Sequence, residues 1–232
     1  MFEQDLPPIP NEVLLGISEV SLVNTASPNH LIHSHVFEAF HRLSESALQA
    51  GFCMKIASSY RSFARQLLIW NGKATGARPI LDINGKPLDV TLLSQKEILF
   101  AILRWSAIPG ASRHHWGTDI DVYDGAHINE DYVLQLTLEE TQGDGPFAEF
   151  HRWLTEELAS NSQGFYRPYE KDMGGVAPEP WHLSYKPVAQ KYAQLLTEDL
   201  LRYHIQSIDI ELKDVLLEHF SEIYQRFIKP YC

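Results

Sequence analysis

The chain has 232 residues, enough for one domain, or one domain with an appended segment, and a sizeable core. Its 19 Lys and Arg against 30 Asp and Glu give a formal net charge of −11, which argues against a nucleic-acid partner and against simple adsorption to an anionic membrane. Two cysteines, Cys53 in an apolar run and Cys232, exclude a four-thiolate zinc site and argue against a disulfide framework, so any metal must be held by His and carboxylate.

Residues 1–28 read as an irregular N-terminal segment. "MFEQDLPPIP" lacks the basic end and apolar run of a signal peptide, and no stretch approaches the roughly 20 apolar residues that span a bilayer. The expected location is the cytoplasm if Met1 is the native start, and the cell envelope or periplasm if an export segment was removed. The apolar positions Leu31, Ile32, Val36, Phe37, Phe40, Leu43 and Leu48 have helical spacing, stopped at Gly51. "FCMKIASS" predicts a buried strand. "RSFARQLLIWNG" predicts a second helix ended by Asn71-Gly72, and Asn84-Gly85 between apolar flanks signals a hairpin. "SQKEILFAILRWSA" predicts a third helix. "TDIDVY" alternates like a strand, "GPFAEFHRWLTEELASNSQG" predicts a helix closed near Gly164, and "FYRPYE" and "EPWHLSY" predict short strands.

After Pro187, "VAQKYAQLLTEDLLRYHI" and "IELKDVLLEHFSEIYQRFI" are amphipathic. Leu212, Val215, Leu216, Ile223 and Phe227 fall on one side of the second. Such a face packs on the core, or forms the interface of a homodimer. The expected fold is α+β, with a small antiparallel sheet flanked by helices and C-terminal helices appended over residues 188–232.

The chemistry gathers in three stretches. In "SRHHWGTDIDVYD", strand alternation places Gly117, Asp119 and Asp121 on one face and Thr118, Ile120 and Val122 on the other. Two carboxylates on one face repel, and a divalent cation would relieve them; a solvated strand edge would carry the same residues. In "EPWHLSY", Pro180 between Glu179 and His182 excludes a helix, so an extended or turn element brings carboxylate and imidazole together. His114, Asp121 and His182 supply three ligands for a catalytic zinc and leave a position for water, with Glu179 spare as general base and acid. In "SSYRSFARQ", Arg61 stands where a strand meets a helix, and its planar fork suits a carbonyl or carboxylate oxygen.

These stretches resemble motifs of the zinc D-alanyl-D-alanine carboxypeptidases of the VanY and LdcB type, in a fold group that includes lysostaphin-type peptidases and the hedgehog signalling domain. That family carries S-G-Y-R-S-x-x-x-Q, P-G-x-S-x-H-x-x-G-x-x-x-D and E-P-W-H-x-x-Y. The chain reads "SSYRSFARQ", "PGASRHHWGTDID" and "EPWHLSY" in the same order, and "GFYRPYEKDMGG" looks like the segment before the last motif. The resemblance covers about residues 29–187, the expected zinc peptidase domain. It implies one Zn2+ on His114, Asp121 and His182, Glu179 as general base and acid, and Arg61 as the oxyanion-stabilising group. It further implies that Ser112 and Gln66 hold the peptide, with Tyr60, Trp181 and Asp119 as additional substrate-binding candidates.

His115 falls on a variable position and reads as cleft wall or surface. Ser59 replaces the usual glycine, and Asp119 a small apolar residue. Asp119 is expected to orient His114 or His182, to receive a substrate ammonium, or to compete with Asp121 for the metal. The implied activity is D,D- or L,D-carboxypeptidase action on peptidoglycan stem peptides or muropeptides. A peptidoglycan cross-link endopeptidase and a non-catalytic zinc-containing binding domain are the alternatives; the spare Glu179 and Arg61 favour catalysis.

Overall fold

The computed structural model describes residues 8–25, 29–83, 85–126, 128–129 and 131–232. In chain order the elements are α1 (Asn11–Leu14), β1 (Leu22–Asn24), β2 (Leu31–His33), α2 (Phe37–Gln49), β3 (Met54–Ser58), α3 (Phe63–Ala74) and α4 (Gln95–Trp105). There follow β4 (Asp119–Asp124), α5 (Leu138–Thr141), α6 (Ala148–Asn161), β5 (Phe165–Tyr166) and β6 (His182–Tyr185). The chain ends in α7 (Lys186–Leu195), α8 (Glu198–Ser207), α9 (Lys213–Glu218), α10 (Phe220–Ile223), a π turn over Tyr224–Ile228 and a tight turn over Lys229–Tyr231. The class is α+β, as the pattern predicts.

Four antiparallel strands in the order β3-β4-β6-β5 form the sheet. Alternation divides β4 cleanly. Ile120 and Val122, both 0% exposed, enter a core with Leu183, Leu43 of α2 and Phe150 and Leu154 of α6. The opposite face carries Asp119 and Asp121 toward a second core, built by α1, α3, α4 and the C-terminal helices. The functional residues lie between the sheet and this helical half.

Several expectations change. The described part of the N-terminal segment is not irregular: Val13 and Leu14 of α1 are buried, and β1 pairs with β2. Leu31–His33, expected at the start of a helix, is a strand, because β1 pairs with it and the His33 N–H bonds the Gly117 carbonyl at 2.8 Å. α3 runs through Asn71-Gly72 to Ala74. Asn84 of the expected hairpin turn lies outside the described residues; beside it, Leu81 and Pro87 form an isolated bridge. The post-Pro187 helices each break in two, α7/α8 where Thr197 caps α8 and α9/α10 at His219.

The C-terminal helices pack on the rest of the domain. Val215, Leu216, Ile223 and Phe227 belong to the larger core together with Trp70, Leu99 and Ile102. The apolar stripe packs inside the fold. No helix among the described residues is long and apolar enough to cross a membrane.

Candidate active site

His114 is held in a tight turn over Arg113–Trp116, closed by Gly117 in the left-handed region at φ 66°. A Cβ on Gly117 would lie 2.8 Å from the His33 backbone nitrogen, so only glycine lets the turn dock against β2. Asp121 on β4 and His182 on β6 are register partners, and Asp119 and Ser184 are the next pair on that face. Cross-strand pairing therefore places a carboxylate beside an imidazole.

The geometry of the cluster is tight. His114 Nε2 lies 3.3 Å from Asp121 Oδ2, and His182 Nδ1 lies 3.1 Å from Asp121 Oδ1. One ligand atom from each of the three residues falls within 4.8 Å of the others, and all three residues are buried. Asp121 Oδ1, His182 Nδ1 and His114 Nδ1 are buried without a hydrogen bond. Orphaned buried acceptors of this kind need a partner. The N, O, N donor set suits a divalent cation with an open position, and zinc above all.

Electrostatics agrees. Burial opposes charge on His182, yet Asp119, Asp121 and Glu179, each within 3.5 Å of a ring nitrogen, drive its pKa well up. Burial likewise opposes the Asp121 charge, and His114 and His182 hold its carboxyl far below the usual range. The site calls for positive charge at its centre, which a cation would provide.

Glu179 approaches from the loop before β6. Its N–H bonds the Tyr169 carbonyl at 2.9 Å, its carbonyl accepts from His182 N–H at 3.1 Å, and its Oε2 stops 3.5 Å from His182 Nδ1. It is a carboxylate beside the cluster rather than in it. Arg61 enters from the β3–α3 junction. It donates to Gln66 Oε1 at 2.9 Å and to Ser58 Oγ at 3.2 Å, while its N–H bonds the His114 carbonyl. Burial lowers the Arg61 pKa, and Asp121 and Glu179 oppose that shift.

A cleft of about 260 Å³ joins these groups, and Arg61, Ser112, His114, Asp121, Glu179, Trp181 and His182 all line it. Three substrate-binding candidates stand elsewhere. Gln66 is fully buried and holds Arg61, with its amide nitrogen bonded to the Ala107 carbonyl at 2.7 Å. Tyr60 donates its hydroxyl to the Gly16 carbonyl at 3.0 Å. Asp119 is 0% exposed, so it does not face the cleft, and it bonds His182 Nε2 at 3.0 Å. His115 is neither cleft wall nor surface. It is 1% exposed and clasps two loops, with Nδ1 donating to the Arg61 carbonyl and Nε2 accepting from Gly110 N–H.

Other residues at the site escape sequence reasoning. Arg113, 4% exposed, donates to Asp119 at 2.8 Å, Ser184 at 2.7 Å, Tyr166 at 3.1 Å and the Tyr231 carbonyl at 2.6 Å. Burial opposes the Arg113 charge, and Asp119 more than compensates, raising its pKa. Tyr169 packs edge-on against His182 at 4.8 Å, and Phe227 and Ile228 line the cleft from the C-terminal segment. Lys73 also lines it. Its one sequence signal is its position seven residues after Gln66, two turns along the same helix face.

A profile of the VanY D-alanyl-D-alanine carboxypeptidase family matches residues 29–188. A curated relative, an uncharacterised protein of Haemophilus influenzae, is 45% identical over 100 residues, covering 42% of this chain and 68% of the relative. Among solved structures, VanYB in complex with D-alanine-D-alanine is similar at 23% identity and TM-score 0.51, over 81% of this chain and 89% of that one. A variant of the vancomycin-resistance D,D-pentapeptidase VanY in complex with Zn(II) is 25% identical with TM-score 0.49, over 78% of this chain and 88% of that one. The profile spans well over half of the sequence, and the chain belongs to the VanY D-alanyl-D-alanine carboxypeptidase family.

Proposed function

We propose that this chain is a zinc-dependent carboxypeptidase hydrolysing the terminal D-amino-acid peptide bond of peptidoglycan stem peptides. The observation that carries the reading is Glu179, a carboxylate in the cleft and 3.5 Å from His182 but spare to the His114–Asp121–His182 cluster. A purely structural metal site has no need of it. His114, Asp121 and His182 would hold the ion, which when bound supplies Lewis-acid polarisation of the scissile carbonyl and acidifies the attacking water.

The protein's own groups do the rest. Glu179 accepts the proton that the water sheds as it attacks the carbonyl carbon, and delivers it to the leaving amine as the peptide bond breaks. Arg61, fixed by Gln66 and Ser58, directs its remaining N–H groups at the carbonyl oxygen as that oxygen gains charge. Asp119 accepts a hydrogen bond from His182 Nε2–H, which fixes the tautomer and leaves the Nδ1 lone pair toward Asp121 and Glu179. Ser112 and Trp181 line the cleft and are proposed peptide contacts.

The test is a mass-spectrometric digest of three substrates by the zinc-loaded protein: stems ending in D-Ala-D-Ala, stems ending in a single D-Ala after an L-centre, and cross-linked dimers. Free D-Ala from one of the linear stems is the expected product, and which stem identifies D,D or L,D specificity. Glu179→Ala should retain zinc and lose about 10²- to 10⁴-fold in kcat. Cleavage of the dimers alone would make the protein an endopeptidase. Retention of zinc with no cleavage of any substrate would make it a binding domain.

A further inference from the structure

Lys73 is a cation in the cleft without an acid of its own. It lies near the end of α3, is partly buried, and lines the cavity with Arg61, Glu179 and the His114–Asp121–His182 cluster. Among the described residues no carboxylate forms an ion pair with it. Other cations of the fold are matched: Arg104 by Asp172 at 2.5 Å, Arg113 by Asp119 at 2.8 Å and Arg202 by Glu198 at 3.2 Å. Arg61 has Gln66 and Ser58.

The two acids that line the cleft have other work. Asp121 belongs to the metal cluster, and Glu179 faces the reacting water under the reading above. With a divalent ion in place, the charged side chains lining the cleft leave an excess of positive charge, centred on Arg61, Lys73 and the ion. Removing an ammonium from water without a partner is unfavourable. Burial, and after it repulsion from Arg61, brings the Lys73 pKa down to about 8, against a smaller opposing attraction from Glu179. A partly desolvated ammonium with no ion-pair partner, beside a peptidase centre, fits an anion brought by the ligand.

We propose that Lys73 is the seat of the peptide's free α-carboxylate, pairing with the C-terminal end of the residue to be released and so restricting the cleft to chain ends. This rests on the zinc-peptidase reading and names the group that would make the protein an exopeptidase. An internal peptide bond would place a neutral amide against Lys73 and leave the ammonium unpaired, which costs binding rather than chemistry. A carboxylate elsewhere in the stem peptide has the same chemistry, and the experiment separates the two sources.

Binding is measured by calorimetry on the zinc-loaded full chain carrying Glu179→Ala, so that the ligand survives. Three forms of one stem peptide are compared: the free acid, its C-terminal amide, and a form with the free C-terminus kept and its internal carboxylates amidated. The free acid should bind at least about tenfold more tightly than the C-terminal amide, and the third form should bind like the free acid. Adding Lys73→Met should erase the acid–amide preference, and adding Lys73→Arg should keep most of it. In the otherwise native enzyme, Lys73→Met should raise KM for the free acid with kcat held within about threefold.

An acid–amide preference that survives Lys73→Met would overturn the proposal. So would a loss of affinity on amidating the internal carboxylates alone, or the absence of binding by any form. Failure of the enzyme reading shows differently: the native protein would cleave nothing while the Lys73-dependent preference for free acids persisted.

Discussion

Asp119 accepts hydrogen bonds from Arg113 at 2.8 Å, Thr118 at 2.6 Å, Ser184 at 3.1 Å and His182 at 3.0 Å, with none of its surface in water. Burial alone would raise its pKa; Arg113 and His182 hold it at about 2. All four neighbours are donors, so an amide at this position would turn its NH2 against at least one of them and leave Arg113 without a counter-charge. Asp119→Asn should weaken zinc binding by about 10- to 100-fold in a chelator competition and cost about 3–5 kcal/mol of folding stability. Zinc affinity within twofold of native would mean that Asp119 does not orient His182 for the metal. A second residue-scale expectation concerns pH. Burial, then Arg167, lowers the His151 pKa to about 3, and both ring nitrogens are buried without a hydrogen bond. Burial, then His35, lowers His33 to about 4. In the unfolded chain each titrates near 6.5, so on acidification the unfolded state takes up protons that the folded state refuses. Stability therefore falls as pH drops below about 6.5 and continues to fall until each folded pKa is reached, with each histidine contributing about 1–2 kcal/mol of loss by pH 5. His151→Leu should flatten the change in urea-unfolding free energy between pH 7.5 and pH 5 by about that amount, and an unchanged acid dependence would sink the assignment.

At the scale of elements, what the sequence conveyed depended on how local the cause was. β4 was legible because its alternation puts Ile120 and Val122 into the core and Asp119 and Asp121 opposite. α4 matches the helix expected from "SQKEILFAILRWSA", and the structure adds a capping box of Ser94 and Glu97 at its start. The cluster residues could be named because their side-chain types sit in short motifs, while the β4–β6 pairing that joins Asp121 to His182 is a tertiary feature that the sequence alone did not predict. Elsewhere a distant partner overruled the local signal. Leu31–His33 has helical spacing but pairs with β1. Asn71-Gly72 reads as a stop, yet the Asn71 side chain accepts from Glu211 N–H at 3.0 Å and the Trp70 ring donates to the Glu211 carbonyl, so α9's approach carries α3 past it. The supports of the site were hidden for the same reason. Arg113 meets Tyr231, 118 positions away, and no period or motif announces such a contact. Gln66 was visible as a polar residue of a motif, but only tertiary structure shows that it grips Arg61 instead of facing the cleft.

At the scale of the whole molecule, the family match ends at residue 188 and the site does not. Beyond it, Leu216, Phe220 and Ile223 are fully buried in the larger core, and Phe227 and Ile228 reach the cleft wall. Tyr231 then ties the segment to the loops around the site in three ways. Its carbonyl accepts from Arg113 at 2.6 Å, its hydroxyl accepts from Val176 N–H at 3.1 Å, and its ring lies 4.9 Å from Tyr169, which packs on His182. A continuous path of contacts thus runs from Tyr231 through Arg113 and Asp119 to a proposed metal ligand. Deleting residues 229–232 keeps Phe220, Ile223 and Phe227 in place to close the core, while it removes the carbonyl and the Tyr231 ring. The expected result is a folded protein, less stable by about 2–4 kcal/mol, whose zinc affinity drops about tenfold. Tyr231→Ala, which keeps the main-chain carbonyl, should show the stability loss with a smaller loss of zinc affinity. If the path acts as a unit, the deletion and Asp119→Asn lower zinc affinity by the same route, and the double variant binds zinc about as well as Asp119→Asn alone. Independent routes would instead multiply the two losses, and that outcome would reduce the C-terminal segment to a wall of the cleft with no hold on His182.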